Sequence, residues 1–178
     1  MRSKIFQILL LFLILLSFNL VLFPSFNNVF EVENLRILDI RFSYTHDEII
    51  LLFNQLGEVG RQIYTFQTAV VDMIYPLVYS IFLYLLFDLA LGISVQRKIK
   101  KNIKFLPFGI AFFDYLENFN TLQMLSDFPE ILNFSASAGS LCTSIKWILA
   151  VIVLLLLLGI VIEIVLRIKR KRLIIIDV

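Results

Sequence analysis

Charge is scarce in this chain of 178 residues: Asp, Glu, Lys and Arg make up 17% of it, against 60% hydrophobic residues. A water-soluble domain carries about a quarter charged residues, so a fold bathed in water on all sides is excluded. There is one cysteine, Cys142. It excludes an intramolecular disulfide, has no partners for a thiolate metal cluster, and reads as a small helix-packing residue. The one histidine, His46, stands in a polar loop. No Ser–His, Cys–His or metal-ligand grouping accompanies it, so neither a metal nor a cofactor is expected. A formal net charge of +2 argues against a nucleic-acid partner. Internal repeats and low-complexity linkers are also missing.

What the chain has instead is long apolar runs, with a mean hydropathy of +0.90. A bilayer-spanning helix needs about 20 predominantly apolar residues. Segments 5–23 and 146–166 meet this directly, the second containing "LLLLLGIVIEIVL". Segment 67–93 is long enough but contains Asp72 and Asp88, and 105–124 contains Asp114, Glu117 and Asn118. The first run is longer than the apolar core of a secretory signal, and no small-x-small cleavage site follows it, so it is expected to be an uncleaved anchor.

Basic residues set the expected number of crossings. Arg97, Lys98, Lys100, Lys101 and Lys104 fall between the second and third runs, and Arg167, Lys169, Arg170, Lys171 and Arg172 follow the fourth. The long stretch 24–66 has six acids against three bases. Four crossings with both termini in the cytoplasm put 12 of the 16 bases on that side, as the positive-inside rule asks. The expected fold is therefore all-α: an integral membrane bundle of four transmembrane helices in the plasma membrane. Its outer segments are 24–66 and 125–145, and its basic cytoplasmic segments are 94–104 and 167–178. Membrane lipids surround it.

Within 24–66, "LDIRFSY" alternates apolar Leu38, Ile40, Phe42 and Tyr44 with polar residues, which predicts a short extended segment with one covered face. Thr45 and Glu48 have the spacing of a capping box. The helix they open carries Ile49, Leu52, Phe53, Leu56 and Ile63 on one stripe, predicting an amphipathic helix over the outer end of the bundle. Gly57 and Gly60 offer a joint into the next crossing. Small residues from Ser135 to Ser140 allow close helix approach.

One stripe is polar where hydrocarbon is expected. Arg61, Tyr64, Thr68, Asp72, Tyr75 and Tyr79 recur at helical spacing, and so do Asp114, Glu117, Asn118 and Thr121. Lipid offers such groups no partner, so the two polar faces must meet each other or water. Counted from the basic ends at 1.5 Å per residue, Asp114 lies about 14 Å deep, Glu117 about 18 Å and Asp72 about 30 Å. This predicts a pocket open to the outside with the Asp114 and Glu117 acids at its floor. Pro76 frees the Asp72 carbonyl four residues back, adding an acceptor. Asp88 and Glu163 lie near the basic ends, where Lys or Arg can meet them.

The stretches "GEVGRQIY", "DMIYPLVY" and "FDYLEN" together resemble a family of small four-pass integral membrane proteins with GxxGRxxY, DxxYPxxY and FDYLEN motifs. The resemblance covers roughly 38–147, and the family brings no established activity. The expected function is binding, and with it transport or sensing, of a small polar or cationic ligand. Asp114, Glu117 and Asn118 supply the floor, Asp72, Tyr75 and Tyr79 the wall, and Arg61 and Tyr64 the mouth. Two rivals stand beside it: a lipid-modifying enzyme using Asp114 and Glu117 as an acid–base pair, and a non-catalytic subunit of a membrane assembly. Transport would require a homo-oligomer or a membrane-protein partner, since four short helices leave little room for alternating access.

Overall fold

The computed structural model describes residues 2–30, 36–94 and 102–176, with side chains for 2–26, 36–94 and 102–170. Every regular element among them is helical. The first rod is α1 (Arg2–Ser17), a π-turn (Phe18–Leu22) and α2 (Phe23–Phe30). The second is α3 (His46–Phe66), a π-turn (Gln67–Val71) and α4 (Asp72–Ile93). α5 (Leu106–Asp127) and α6 (Asn133–Ile176) complete the set. Three helical stretches are long and apolar enough to cross a bilayer: Arg2–Phe26, His46–Ile93 and Asn133–Arg170. α5, at 22 residues, spans about 33 Å, but its polar face keeps it out of that set.

The rods run alternately up and down. Lys4 and Phe12 meet Asp88 and Phe82, so the first rod is antiparallel to α4. Asp88 also meets Lys104, and Tyr84 meets Phe105 and Phe108, so α4 is antiparallel to α5. Asp114 meets Lys146, so α5 is antiparallel to α6. Lys4, Asp88, Lys104 and Arg167 consequently share one end of the molecule, which we call the basic end. The packing is less regular than the expected four-helix bundle. α4, α5 and α6 make a mutually packed triad, and the first rod packs on the second, α1 against α4 and α2 against α3.

Two expectations about loops are corrected. The segment 125–145 is not an outer loop: α6 begins at Asn133 and continues unbroken for 44 residues, through the basic stretch as well. Small residues let its first turns lie against α5, and Lys and Arg are good helix formers. At about 66 Å, α6 is twice the thickness of the hydrocarbon layer. The segment 38–44 is likewise not extended. It is a 3₁₀ turn, Leu38–Ile40, followed by irregular chain, with Leu38 and Tyr44 buried but Ile40 and Phe42 exposed. No strand lies beside it, so its backbone groups bond to α6 side chains instead. Tyr44 N–H donates to Ser140 Oγ (3.0 Å), Ser144 Oγ donates to the Phe42 carbonyl (2.9 Å), and Trp147 Nε1 donates to the Asp39 carbonyl (3.3 Å). Burial pushes the Tyr44 hydroxyl well above its ordinary pKa, and it accepts from Thr143 Oγ1 at 3.4 Å. The bases Arg97, Lys98, Lys100 and Lys101 lie outside the described residues.

The capping box is present: Glu48 N–H donates to Thr45 Oγ1 at 3.3 Å, and Thr45 N–H donates to Glu48 Oε2 at 2.7 Å. Thr45→Ala will cost about 1 kcal/mol, a drop in Tm of about 2–4 °C in a detergent melt followed by circular dichroism. The helix it opens buries Ile49, Leu52 and Phe53 as its stripe requires. Gly57 is the joint, with φ 63°, a left-handed conformation that L side chains resist. Arg61 Nη1 reaches back across the bend to the Phe53 carbonyl at 2.8 Å, with its guanidinium over the Phe128 ring.

The interior is layered. An apolar core at the end bearing the 38–45 loop contains Leu38, Ile49, Phe53, Tyr64 and Met124. A second, toward the basic end, contains Phe87, Leu91, Ile110, Val153 and Ile160. Between them, at the start of α4, the middle of α5 and the first third of α6, lies a polar layer.

Candidate functional site

Each of the three packed rods contributes one face to the polar layer. α5 supplies Asp114, Glu117, Asn118 and Thr121, all buried on the side that α4 and α6 cover. The second rod supplies Gln67, Thr68 and Asp72, also buried. α6 supplies Thr143 and Lys146. Lys146 Nζ lies 2.6 Å from Glu117 Oε2 and 3.2 Å from Asp114 Oδ1, bridging both acids. Tyr79 Oη donates to Asp114 Oδ2 at 2.9 Å, so the Asp114 carboxylate is held at both oxygens. Glu117 is fully buried, and its Oε1 has no hydrogen-bond partner.

The proline effect appears where the sequence placed it. Asn118 Nδ2 donates to the Asp72 carbonyl at 2.8 Å, the acceptor that Pro76 releases. One turn along, Tyr115 Oη donates to the Met73 carbonyl at 2.9 Å. The same bonds correct the estimated depths. Asp72 is level with Asn118, not a full turn or two above it, because Asp88 rather than Ile93 is level with Lys104. α4 extends past the start of α5, so counting each helix from its own basic end misaligned the two.

Five of the eight expected site residues therefore come together: Asp72, Tyr79, Asp114, Glu117 and Asn118. Three are placed elsewhere. Arg61 is held at the Gly57 bend by Phe53 and Phe128 and does not pair with Asp72. Tyr64 is fully buried in the apolar core, where its Oη accepts from Leu38 N–H at 3.2 Å. Tyr75 turns toward the first rod, touching Phe18 and Phe23, and its Oη accepts from Asn19 Nδ2 at 3.2 Å. Near the basic end, Asp88 pairs with Lys4 and Lys104 as expected, and Glu163 accepts from Ser94 Oγ at 2.6 Å.

Lys146 is the principal residue missed from the sequence. Its signal is a lone base entering the most apolar run of the chain, three residues after Thr143. Asp39 is the other. Alternation placed it on the outer face of a strand, yet its Oδ1 is buried without a partner. Lys146 itself contacts two acids, Asp114 and Glu117.

Two surface grooves lie nearby. One of about 470 Å³ is apolar and lined by Ile40, Phe42, Trp147, Ile148, Val151 and Ile152. The other, of about 480 Å³, lies between Tyr44, His46 and the first turns of α6. None of the polar-layer acids lines either groove. Among the described residues no group of three or more His, Cys, Asp or Glu side chains has the arrangement of a metal centre. No protein-family model, curated protein sequence or solved structure matches this chain.

Proposed function

We propose that the chain is a four-pass membrane protein of the plasma membrane, with its basic end in the cytoplasm, that binds a small cation within the bilayer at the polar layer. The observation that carries the reading is the excess of buried acid among the described residues: Asp72, Asp114 and Glu117 are buried with one base, Lys146, which contacts only Asp114 and Glu117. Acids in hydrocarbon are costly and are retained where they act on a ligand or an ion. α5 counts as the fourth crossing. It is antiparallel to both neighbours, hides its polar face between them, and turns Phe108, Phe112 and Phe119 outward. The family likeness of its FDYLEN stretch is to four-pass proteins of the same kind. Binding comes first in this reading, with sensing or transport as its uses.

Thermal unfolding of the purified full-length chain tests it. Sodium, potassium, ammonium and guanidinium are exchanged for N-methyl-D-glucamine at fixed ionic strength. At least one small cation should raise Tm saturably, with apparent affinity at least tenfold weaker once the acid that holds it, Asp72 or Glu117, is replaced by its amide in a variant that accumulates normally. A Tm indifferent to every small cation defeats the reading.

The second reading is a non-catalytic assembly subunit. It is favoured by the double engagement of Lys146, which already locks α5 to α6. In that case Glu117→Gln lowers the amount of protein recovered, and cations make no difference.

A further inference from the structure

The π-turn Gln67–Val71 enters the polar layer directly before Asp72 and five residues ahead of the in-helix Pro76. A single π-turn is an uncommon irregularity that marks functional positions more often than chance allows. Around it stand five oxygen atoms without a hydrogen-bond partner: Gln67 Oε1, Thr68 Oγ1, Asp72 Oδ2, Asn118 Oδ1 and Thr121 Oγ1. Their residues are 2%, 0%, 5%, 0% and 0% exposed. A buried polar group left unsatisfied is costly, and five in one place call for a common partner.

The five belong to one locality. The Asn118–Asp72 bond fixes the antiparallel register of the two rods. Thr68 lies one turn before Asp72 and Thr121 one turn after Asn118, so the two threonines stand level on facing helices. The π-turn packs against α5 along this stretch.

Their orientations are set by chemistry. The Asn118 amide must present Nδ2 to the Asp72 carbonyl, because the flipped amide would set oxygen against oxygen. Its Oδ1 is therefore the free end. Gln67 Oε1 is likewise without a partner. The hydroxyls also behave unusually. Thr65, Ser80, Ser17 and Ser25 each donate to a carbonyl three or four residues back, the usual resting place of such a group in a helix. Thr68 and Thr121 do not.

We propose that Gln67, Thr68, Asp72, Asn118 and Thr121 form a binding site for an alkali-metal cation, sodium in preference to potassium, between the π-turn and α5. The inference rests on the cation-binding reading above and names the ion. Oxygen donors alone suit a hard cation. Within these five residues, one carboxylate among four neutral oxygens matches a single positive charge. Irregular helix segments that supply such ligands are a recurrent device of membrane ion sites. Lys146 provides the internal cation for the other half of the layer, on Asp114 and Glu117. The close burial of all five residues favours the smaller ion.

The test uses the full-length protein in mild detergent, with sodium chloride replaced stepwise by N-methyl-D-glucamine chloride. Sodium at about a hundred times its Kd should raise Tm by about 5–10 °C, with potassium weaker. Thr68→Val and Thr121→Val, alone and together, should leave the sodium-free Tm unchanged or higher, since each removes an unsatisfied hydroxyl. The double variant should lose most of the sodium response, with apparent affinity falling at least tenfold. Asp72→Asn should abolish it. If ammonium or guanidinium raises Tm in a Glu117-dependent way and sodium does not, this inference falls and the broader reading survives. A sodium response unchanged in the Thr68→Val/Thr121→Val protein also overturns it. Silence toward all cations overturns both.

Discussion

Replacing Lys146 with Met will destabilise the fold by about 3–5 kcal/mol, because it strips the base from two buried acids and leaves them without compensation. The melting temperature should fall by about 10 °C or more. Lys146 is 8% exposed and its Nζ touches Asp114 and Glu117 at once, so water cannot replace it. The decisive comparison is a double-mutant cycle. Lys146→Met/Glu117→Gln should be more stable than Lys146→Met alone, because the second change removes the stranded charge along with its partner. The coupling energy between the two positions should exceed about 1 kcal/mol. Additive effects, or a Lys146→Met protein that melts like the wild type, would show that the ion pair does not hold α5 to α6.

The second large effect is expected at Gly139. A methyl group there would sit 2.7 Å from Tyr44 Oη and 3.5 Å from both Asn120 and Met124. Tyr44 has no room to withdraw. Its ring is buried in the apolar core, its N–H is committed to Ser140, and its hydroxyl accepts from Thr143. Gly139→Ala should therefore cost about 1–3 kcal/mol by overpacking, even though alanine is the better helix former. Tyr44→Phe removes the clashing oxygen and should recover most of that loss in the double variant. Equal melting of Gly139→Ala and wild type, or no rescue by Tyr44→Phe, would contradict the placement of the 38–45 loop against α6.

The polar stripe was legible in advance because it obeys a single rule: polar groups spaced for one helix face, in a segment otherwise fit for lipid, must face inward. That rule found Asp72, Tyr79, Asp114, Glu117 and Asn118, and the consequence of Pro76 for the Asp72 carbonyl. It failed at Arg61, Tyr64 and Tyr75 for an identifiable reason. Periodicity assumes one uninterrupted helix, and this rod bends at Gly57 and widens into a π-turn at Gln67–Val71. The bend turns Arg61 back on Phe53, while Tyr64 and Tyr75 are claimed by partners distant in sequence. Lys146 escaped because a lone base at the edge of an apolar run has the same pattern whether it snorkels to the interface or turns inward. Only its neighbour on α5 decides between the two. The start of α6 was placed at 146 rather than Asn133 because the small polar residues ahead of Lys146 are not apolar enough to count toward a crossing, although they already pointed to close helix packing.

The loop through Asp39, Phe42 and Tyr44 hangs from α6 by contacts placed one helical turn apart, at Ser140, Ser144 and Trp147. The strip is pinned along its other edge as well, by Leu38 N–H to Tyr64 Oη on α3. It therefore acts as a splint laid across α3 and α6, keeping the ends of the two helices in register.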